Sequence, residues 1–266
     1  YFGVHYFLAL LYKLFHPSVK IFITLHGTDI HIFKYRKLLL GILGLYDYLI
    51  CVSHFQSQML KKSYGVDADL ILCAGIDQRI FKPLEGVKKE IDFIFVGSFY
   101  KIKGVDIFIE ALRQVDSKYK VCFVGRGDYD QEVLALKNNT QHDVLWVKSL
   151  TQIELVEYYN RSRFLVLPSR GDSFGLVVTE SLFSGTPCIV SGDTGTKEQV
   201  VDGWNGFILE ENQAGLLSKK MEIVHHLSGE EYTEMAQNAL NSNKEYSLDF
   251  VCKQLNEAYL KMAGGL

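Results

Sequence analysis

Apolar residues along the chain fall into short runs and helical periods that alternate, and this pattern predicts an α/β protein. Runs rich in β-branched and aromatic residues predict strands, which cover residues 20–25, 48–52, 69–72, 92–96, 120–124, 144–147, 164–167 and 187–190. Apolar residues spaced three or four apart predict helices, which cover residues 4–15, 34–46, 56–64, 105–115, 151–161, 176–184, 212–227, 230–242 and 246–262. Because strands and helices alternate, we expect parallel sheets with helical crossovers.

The crossover unit over residues 164–190 has the loop composition of a binding site. Its loop lies where the strand ends, at the carboxyl edge of the predicted sheet, and ligands bind at that edge. Asp172 precedes the helix and Glu180 lies more than a turn inside it, so both can line one cleft. The free N–H groups that open the helix favour an anion such as phosphate, and they belong to Phe174, Gly175 and Leu176.

Several linked motifs in this region resemble the retaining glycosyltransferases of family 4. They are acid-x-Phe-Gly-Leu at 172–176, Glu180, Gly-Thr-Pro at 185–187, Gly-x-x-Glu at 195–198 and Gly-x-Asn-Gly at 203–206. The resemblance implies the GT-B fold, an α/β architecture of two Rossmann-like domains whose parallel sheets face a cleft. It also implies that Glu180 holds the nucleotide ribose and that Asp172, where the family usually has Glu, contacts the donor sugar.

The resemblance extends to the loop after the predicted strand 92–96. Lys103 with the following glycine matches a Lys-Gly pair whose ammonium meets the donor diphosphate in that family. Gly97 permits a tight turn at the start of the loop. The family's usual Arg after this glycine is replaced by Ser98, so one expected positive charge is missing.

A second cation is needed, because one lysine does not balance a diphosphate in a partly dry cleft. If the loop is extended, Lys101 and Lys103 lie on the same side and can clamp the two phosphates. Arg170 and Lys197 are the alternatives.

Three further positions enter through the resemblance. His26, in a Thr-x-His-Gly motif, corresponds to a histidine that faces the cleft near the donor sugar, and Ser149 and Leu150 lie in a turn that approaches the base. The implied catalytic residues are His26, Lys103, Asp172 and Glu180. The implied donor-binding residues are Gly97, Ser98, Lys101, Ser149, Leu150, Phe174, Gly175 and Leu176. No metal ligand is implied.

The stretch 82–90 combines Pro, Gly and charge and is the best linker in the chain. With this linker, the resemblance implies three parts. Residues 1–84 would form part of the acceptor-side Rossmann-like domain, residues 85–245 the donor-binding domain, and residues 246–266 a helix that returns to the first domain. The chain begins inside an apolar pattern without an initiator Met, so we expect the first domain to be incomplete, lacking about 80 to 120 upstream residues.

Charge separates the opening portion from the rest. The 266-residue chain has a net charge of −3, but residues 1–84 carry nine Lys and Arg against five acids. Such an excess suits an anionic membrane surface or acceptor, although a difference this small is more often incidental. Nucleic acid is not indicated, because no Lys and Arg cluster is interleaved with aromatic residues.

The five cysteines are odd in number, lack C-x-x-C spacing and mostly lie in or beside apolar strand segments. We expect buried, reduced thiols rather than a disulfide scaffold or a zinc site. This favours a cytoplasmic protein.

The function implied by the resemblance is metal-independent transfer of a hexose, with retention, from a UDP- or GDP-linked sugar to a hydroxyl of a carbohydrate or lipid-linked acceptor. Bacterial surface polysaccharide or glycolipid synthesis is the expected setting, with no cofactor besides the donor and with peripheral contact at the inner face of the membrane. Two alternatives stay open. One is a GT-B-fold nucleotide-sugar epimerase, and the other is a non-catalytic glycosyltransferase-like subunit, which Ser98 and Asp172 would suit.

Overall fold

The computed structural model describes residues 2–27, 46–138 and 140–262. The chain forms two compact units, one made of Tyr1–Gly75 with Asp249–Leu266 and the other of Ile76–Leu248. The predicted helix over residues 34–46 lies outside the described residues, apart from Tyr46.

The first unit contains a three-stranded parallel sheet. Its strands are β1 (Phe22–Leu25), β2 (Tyr48–Cys51) and β3 (Leu70–Ile71), paired in that order. Among the described residues, its helices are α1 (Phe2–Phe15), α2 (His54–Tyr64) and most of the last described helix, α9 (Leu248–Met262).

Asp47 ties α1 to this sheet. Its carboxylate accepts hydrogen bonds from the Lys13 ammonium and from the backbone N–H of Ile21 at 2.8 Å. Both bonds hold the pKa of Asp47 below its usual value, and the bond from Lys13 contributes more than that from Ile21. The next residue, Tyr48, donates its hydroxyl to the Met262 carbonyl at 3.1 Å, which anchors α9 to β2.

The second unit is a Rossmann-like α/β layer built on six parallel strands. The strands are β4 (Ile91–Val96), β5 (Lys120–Val124), β6 (Asp143–Val147), β7 (Ser162–Leu167), β8 (Cys188–Ser191) and β9 (Gly206–Leu209). Their order across the sheet is β6-β5-β4-β7-β8-β9, and every neighbouring pair is parallel. The helices are α3 (Val105–Gln114), α4 (Asp130–Asn138), α5 (Gln152–Arg161), α6 (Leu176–Phe183), α7 (Ala214–His225) and α8 (Gly229–Asn241).

The central strands are almost continuously buried, as expected for a parallel sheet covered by helices. β7 buries five of its six residues and β8 buries all four. Among the helices, α3 packs against α7, and α6 packs against α5 and α8. The sheet therefore presents the carboxyl ends of β4 and β7 side by side, since these two strands are direct neighbours.

The predicted strands and helices within the described residues are confirmed, with ends shifted by a few residues. Both capping boxes are present, Thr151 with Glu154 at the start of α5 and Ser228 with Glu231 at the start of α8. Among the described α-helices and strands, α4 and β9 escaped prediction. Their apolar patterns are short, and β9 begins with a glycine, which weakens a strand signal.

The predicted linker over residues 82–90 belongs to the second unit. Asn160 on α5 binds its main chain, accepting from the Leu84 N–H at 2.8 Å and donating to the Lys82 carbonyl at 3.0 Å. Phe81, just before it, is 2% exposed. These contacts move the division between the compact units to Gly75 and Ile76, while the functional domain boundaries at 84/85 and 245/246 stay predictions.

The cysteines follow the expected pattern with one exception. All five are free thiols; Cys51, Cys73, Cys122 and Cys188 are buried, whereas Cys252 on α9 is exposed, which corrects the expectation for that residue. Burial raises the pKa of Cys51 to about 11 and those of Cys122 and Cys188 to about 12.

Candidate active site

The loops that follow β4 and β7 meet at the carboxyl edge of the second unit's sheet. The Lys103 ammonium comes from the first loop and the Asp172 carboxylate from the second, and Nζ lies 2.8 and 2.9 Å from the two carboxylate oxygens. The Lys103 side chain is 30% exposed and that of Asp172 is 11% exposed, so the pair faces a partly open space. The two residues predicted to bind the donor are thus joined to each other.

The segment that carries Lys103 is a 3-10 helix, Lys101–Lys103, and not an extended loop. With three residues per turn, side chains two positions apart point in different directions. Lys101 and Lys103 therefore do not lie on one side, and the geometric premise of the predicted clamp is wrong. The turn closes on Gly104, whose φ is +75° and whose added Cβ would lie 2.0 Å from the Pro168 carbonyl oxygen.

Arg170, one of the alternative cations, is already engaged. Its guanidinium binds the Asp106 carboxylate in two places, at 2.7 and 2.8 Å, and Nη1 also donates to the Lys101 carbonyl. The Arg170 backbone N–H donates to the Ile102 carbonyl at 2.7 Å. Arg170 thus holds the loops after β4 and β7 together, and its charge is balanced by Asp106.

The N-terminus of α6 opens at the same edge. Gly175 precedes it with φ +77°, and no side chain caps the helix. Its first N–H groups have no helical acceptor and carry the positive end of the helix dipole. Phe174 is buried, with its ring edge-on to Tyr246 at 4.9 Å, so it can offer a ligand only its main chain. Leu176 is 40% exposed.

The loop after β8 braces this helix start. The Gly195 N–H donates to the Asp172 carbonyl at 2.8 Å, and a Cβ on Gly195 would lie 1.9 Å from the Ser173 carbonyl oxygen. The buried Gln199 amide donates to the Phe174 carbonyl and accepts from the Thr179 hydroxyl at 2.6 Å. Lys197 on this loop is exposed.

Glu180 lies further along α6 and is mostly buried. Its Oε2 accepts a hydrogen bond of 3.0 Å from the hydroxyl of Tyr159 on α5. Burial raises the pKa of Glu180, and the bond from Tyr159 opposes that rise. Its main-chain carbonyl accepts from the Ser184 N–H and hydroxyl, which fixes the backbone around it.

The remaining predicted residues lie at the ends of other strands. Gly97 and Ser98 follow β4 and are partly buried. Ser149, which is exposed, and Leu150, which is half-buried, follow β6, an edge strand. His26 is exposed and follows β1 in the first unit. Their roles in binding stay predictions.

Four polar residues of this site were missed from sequence: Asp106, Tyr159, Gln199 and Asn212. Asn212 donates to the Ser169 carbonyl at 2.7 Å and so fixes the start of the loop after β7. Each of the four acts on a partner at least 20 residues away in the chain. No local pattern signals such contacts.

The profile of a family described as glycosyl transferases group 1 matches residues 77–242, a stretch that includes Lys103, Asp172 and Glu180. The chain belongs to this family. The match covers most of the second unit, so the site described above lies within the family's shared region.

Individual relatives are moderately similar. An uncharacterized glycosyltransferase of Methanocaldococcus jannaschii is 29% identical over 260 residues, covering 92% of this chain and 70% of that protein. An N-acetyl-alpha-D-glucosaminyl L-malate synthase of Bacillus anthracis is 26% identical, covering 85% and 65%. A D-inositol 3-phosphate glycosyltransferase of Xylanimonas cellulosilytica is 24% identical, covering 62% and 45%. The chain thus spans less than two thirds of the length of the last two proteins.

Solved structures share the fold. HepE of Anabaena in complex with UDP and glucose superposes with a TM-score of 0.80 at 18% identity, covering 96% of this chain and 74% of that chain. Sucrose-phosphate synthase from Thermosynechococcus elongatus superposes with a TM-score of 0.79 at 17% identity, covering 92% and 68%. The predicted GT-B fold class, α/β with Rossmann-like units built on parallel sheets, is confirmed.

Within residues 2–27, 46–138 and 140–262, no group of three or more His, Cys, Asp or Glu side chains is placed to hold a metal ion. In the same part of the chain, no helix combines the length and the apolar character needed to cross a membrane. A metal-independent reaction and peripheral membrane contact stay predictions.

Proposed function

We propose that this protein transfers a hexose, with retention, from a nucleotide diphosphate sugar to an acceptor hydroxyl. The observation that carries the proposal is the Lys103–Asp172 ion pair placed in the loops beside the uncapped N-terminus of α6. A cation, a carboxylate and open backbone N–H groups together suit a ligand with a diphosphate at one end and sugar hydroxyls at the other.

Lys103 is the proposed contact for the diphosphate. An ammonium has three donors, and the Asp172 oxygens occupy two of them, so one remains for a phosphate oxygen without breaking the ion pair. The N–H groups that open α6 add further donors. When the sugar–phosphate bond breaks, negative charge grows on the diphosphate, and these fixed donors bind the transition state more strongly than the ground state.

Asp172 is proposed to hold the donor sugar. As the bond to phosphate breaks, the sugar takes on positive charge, and the Asp172 carboxylate stabilises that charge. Asp172 has one methylene less than Glu, but Lys103 and the packed loop set its position. The acceptor hydroxyl then attacks the sugar and passes its proton to a phosphate oxygen of the leaving group.

Glu180 is proposed to accept hydrogen bonds from the nucleotide ribose. Oε2 is held by Tyr159, and within the described residues Oε1 has no hydrogen-bond partner. The base is proposed to lie near Ser149 and Leu150, at the end of β6. Uracil is supported by the likeness to HepE, solved with UDP-glucose at a TM-score of 0.80, and guanine is the alternative.

The acceptor is proposed to be a carbohydrate or lipid-linked hydroxyl in bacterial surface polysaccharide or glycolipid synthesis. Relatives are named for transfer to acceptors as different as D-inositol 3-phosphate and L-malate, so membership of the family does not select one. The acceptor therefore has to be found by screening.

Calorimetry with UDP and GDP, followed by transfer assays with the matching hexose donors in the presence of EDTA, tests this proposal. We expect UDP to bind, Lys103→Ala to lower kcat/KM for transfer more than a hundredfold, and the NMR coupling of the product's anomeric proton to match that of the donor. Release of an epimerised sugar without an acceptor would indicate an epimerase. Absence of both nucleotide binding and donor hydrolysis would indicate a non-catalytic subunit.

A further inference from the structure

Tyr159 is a buried side chain that sequence analysis did not single out. It lies in the last turn of α5, its side chain is 0% exposed, and its hydroxyl donates to Glu180 Oε2 at 3.0 Å. This bond links α5 to α6 and engages only one of the two carboxylate oxygens of Glu180. Because Glu180 is proposed to bind the ligand, the Tyr159 hydroxyl bonded to it can affect ligand binding as well as packing.

The position of the Tyr159 hydroxyl is tightly set by the surrounding structure. The Tyr159 carbonyl accepts from the Ser162 N–H, from the Thr186 hydroxyl at 2.7 Å and from the Lys89 ammonium at 3.4 Å. Its ring packs against Phe81 at 6.3 Å between centroids. With the backbone anchored and the ring enclosed, the hydroxyl has little freedom to move away from Glu180.

We propose that Tyr159 is a positioning residue for nucleotide binding, whose hydroxyl orients the Glu180 carboxylate so that Oε1 accepts a hydrogen bond from a ribose hydroxyl. This inference rests on the proposed function, in which Glu180 holds the ribose. The last side-chain torsion of a glutamate is broad, so an unheld carboxylate samples many orientations. Fixing one oxygen in advance removes that cost from the binding step.

The same bond acts on the ionisation of Glu180. Burial raises the pKa of the carboxyl, and the Tyr159 hydroxyl opposes the rise because it binds the charged form. Within the described residues, the Lys89 ammonium and the Cys188 thiol of β8 are further titratable groups near Tyr159. Loss of the hydroxyl therefore raises the pKa of Glu180 further and extends its neutral form, the weaker acceptor, to higher pH.

Tyr159→Phe tests the inference, with Tyr232→Phe as the matched control. Tyr232 is also largely buried, and its hydroxyl donates to the Arg163 carbonyl at 3.2 Å, away from Glu180. Calorimetry from pH 5 to pH 8 should show that Tyr159→Phe binds UDP about five- to tenfold more weakly and loses affinity at a higher pH than the wild type. The control should match the wild type.

Two measurements separate positioning from general packing. A 2′,3′-dideoxy UDP should bind the wild type and Tyr159→Phe equally, because it lacks the hydroxyls that Glu180 would bind. In a Glu180→Gln background, Tyr159→Phe should cause no further loss of UDP affinity. Equal weakening of UDP and dideoxy UDP, or a full loss in the Glu180→Gln background, would overturn the inference.

If Tyr159→Phe fails to fold, site-specific replacement of Tyr159 by trifluorotyrosine provides the test. Its more acidic hydroxyl donates more strongly, so the pH profile should move to lower pH, opposite to the shift expected for Phe. An unchanged profile would overturn the inference alone. A wild-type protein that binds neither UDP nor GDP would overturn the proposed function, and this inference with it.

Discussion

Lys103 and Asp172 lie 69 residues apart in the chain, and Nζ of the lysine lies within 2.9 Å of both oxygens of the aspartate. A ligand phosphate that binds Lys103 would therefore contact a cation whose positive charge Asp172 already offsets in part. In the proposed reaction, Asp172 would weaken the attraction of Lys103 for the diphosphate and would offer negative charge to the sugar.

Asp172→Asn should separate nucleotide binding from sugar transfer. The amide leaves the Lys103 charge uncompensated, so UDP should bind several-fold more tightly, which corresponds to about 1 kcal/mol. The transition state loses its carboxylate, so kcat should fall at least tenfold. Calorimetry and initial rates on one preparation measure both quantities. Parallel loss of UDP affinity and kcat would contradict this account.

Lys101→Ala and Lys103→Ala should differ strongly. Lys103 is paired with Asp172, whereas the 3-10 turn directs the side chain of Lys101 elsewhere. We expect Lys103→Ala to lower kcat/KM more than a hundredfold, about 3 kcal/mol, and Lys101→Ala to lower it less than threefold. Steady-state kinetics with saturating acceptor measure both values. A tenfold loss of kcat/KM in Lys101→Ala would instead support a clamp made of both lysines.

Glu180→Gln should weaken UDP binding and raise the stability of the fold. Burial raises the pKa of Glu180, so its charged form costs stability in full above the folded-state pKa; this cost shrinks as pH falls below that pKa and vanishes below the lower pKa of the unfolded chain. At pH 8 the variant should unfold about 2 to 4 °C higher, a shift that corresponds to about 1 kcal/mol, and should bind UDP about 1 to 3 kcal/mol more weakly. Glu157 is exposed, and Glu157→Gln serves as the control: it should change neither the unfolding temperature nor the affinity for UDP.

Gly175→Ala should damage the anion site more than a comparable change elsewhere. A Cβ on Gly175 would lie 2.6 Å from Cγ2 of Thr196, which is buried and hydrogen-bonded to Thr194 at 2.6 Å. Gly203 has a similar φ, +75°, with nothing within 4 Å of an added Cβ. Both variants should lose about 1 to 2 kcal/mol of stability from backbone strain. Gly175→Ala alone should lose UDP binding at least tenfold, as fluorescence titration would show.

Lys89 should make the folding stability depend on pH. Its ammonium bonds Thr186 Oγ1 at 2.8 Å, and burial lowers its pKa to about 7. The unfolded chain therefore binds this proton more tightly, and the free energy of unfolding should rise by about 1.5 kcal/mol between pH 7 and pH 8.5. Lys89→Met should remove this rise. Urea titrations of both proteins at several pH values, below the range in which cysteines ionise, provide the test. If the free energy of unfolding changes equally with pH in both proteins, the assignment is wrong.

The sequence alone determined the alternation of strands and helices, the glycine-bearing loop before α6 and the capping boxes of α5 and α8. It also identified Lys103 and Asp172 in loops that follow strands, and Glu180 inside the helix after one of those loops. These features depend on local periodicity, on backbone conformations that glycine permits, and on caps that act within three residues. Each of these features depends only on residues that lie close together in the sequence.

Only the tertiary structure decided which of these groups meet. Lys103 with Asp172, Arg170 with Asp106 and Tyr159 with Glu180 are each more than 20 residues apart. The turn at Lys101–Lys103 is also a tertiary outcome, because Gly104 packs on Pro168 and Arg170 binds the Lys101 carbonyl. Charge and hydrogen-bond partners depend on distances between loops, and the order of strands in the sheet sets those distances.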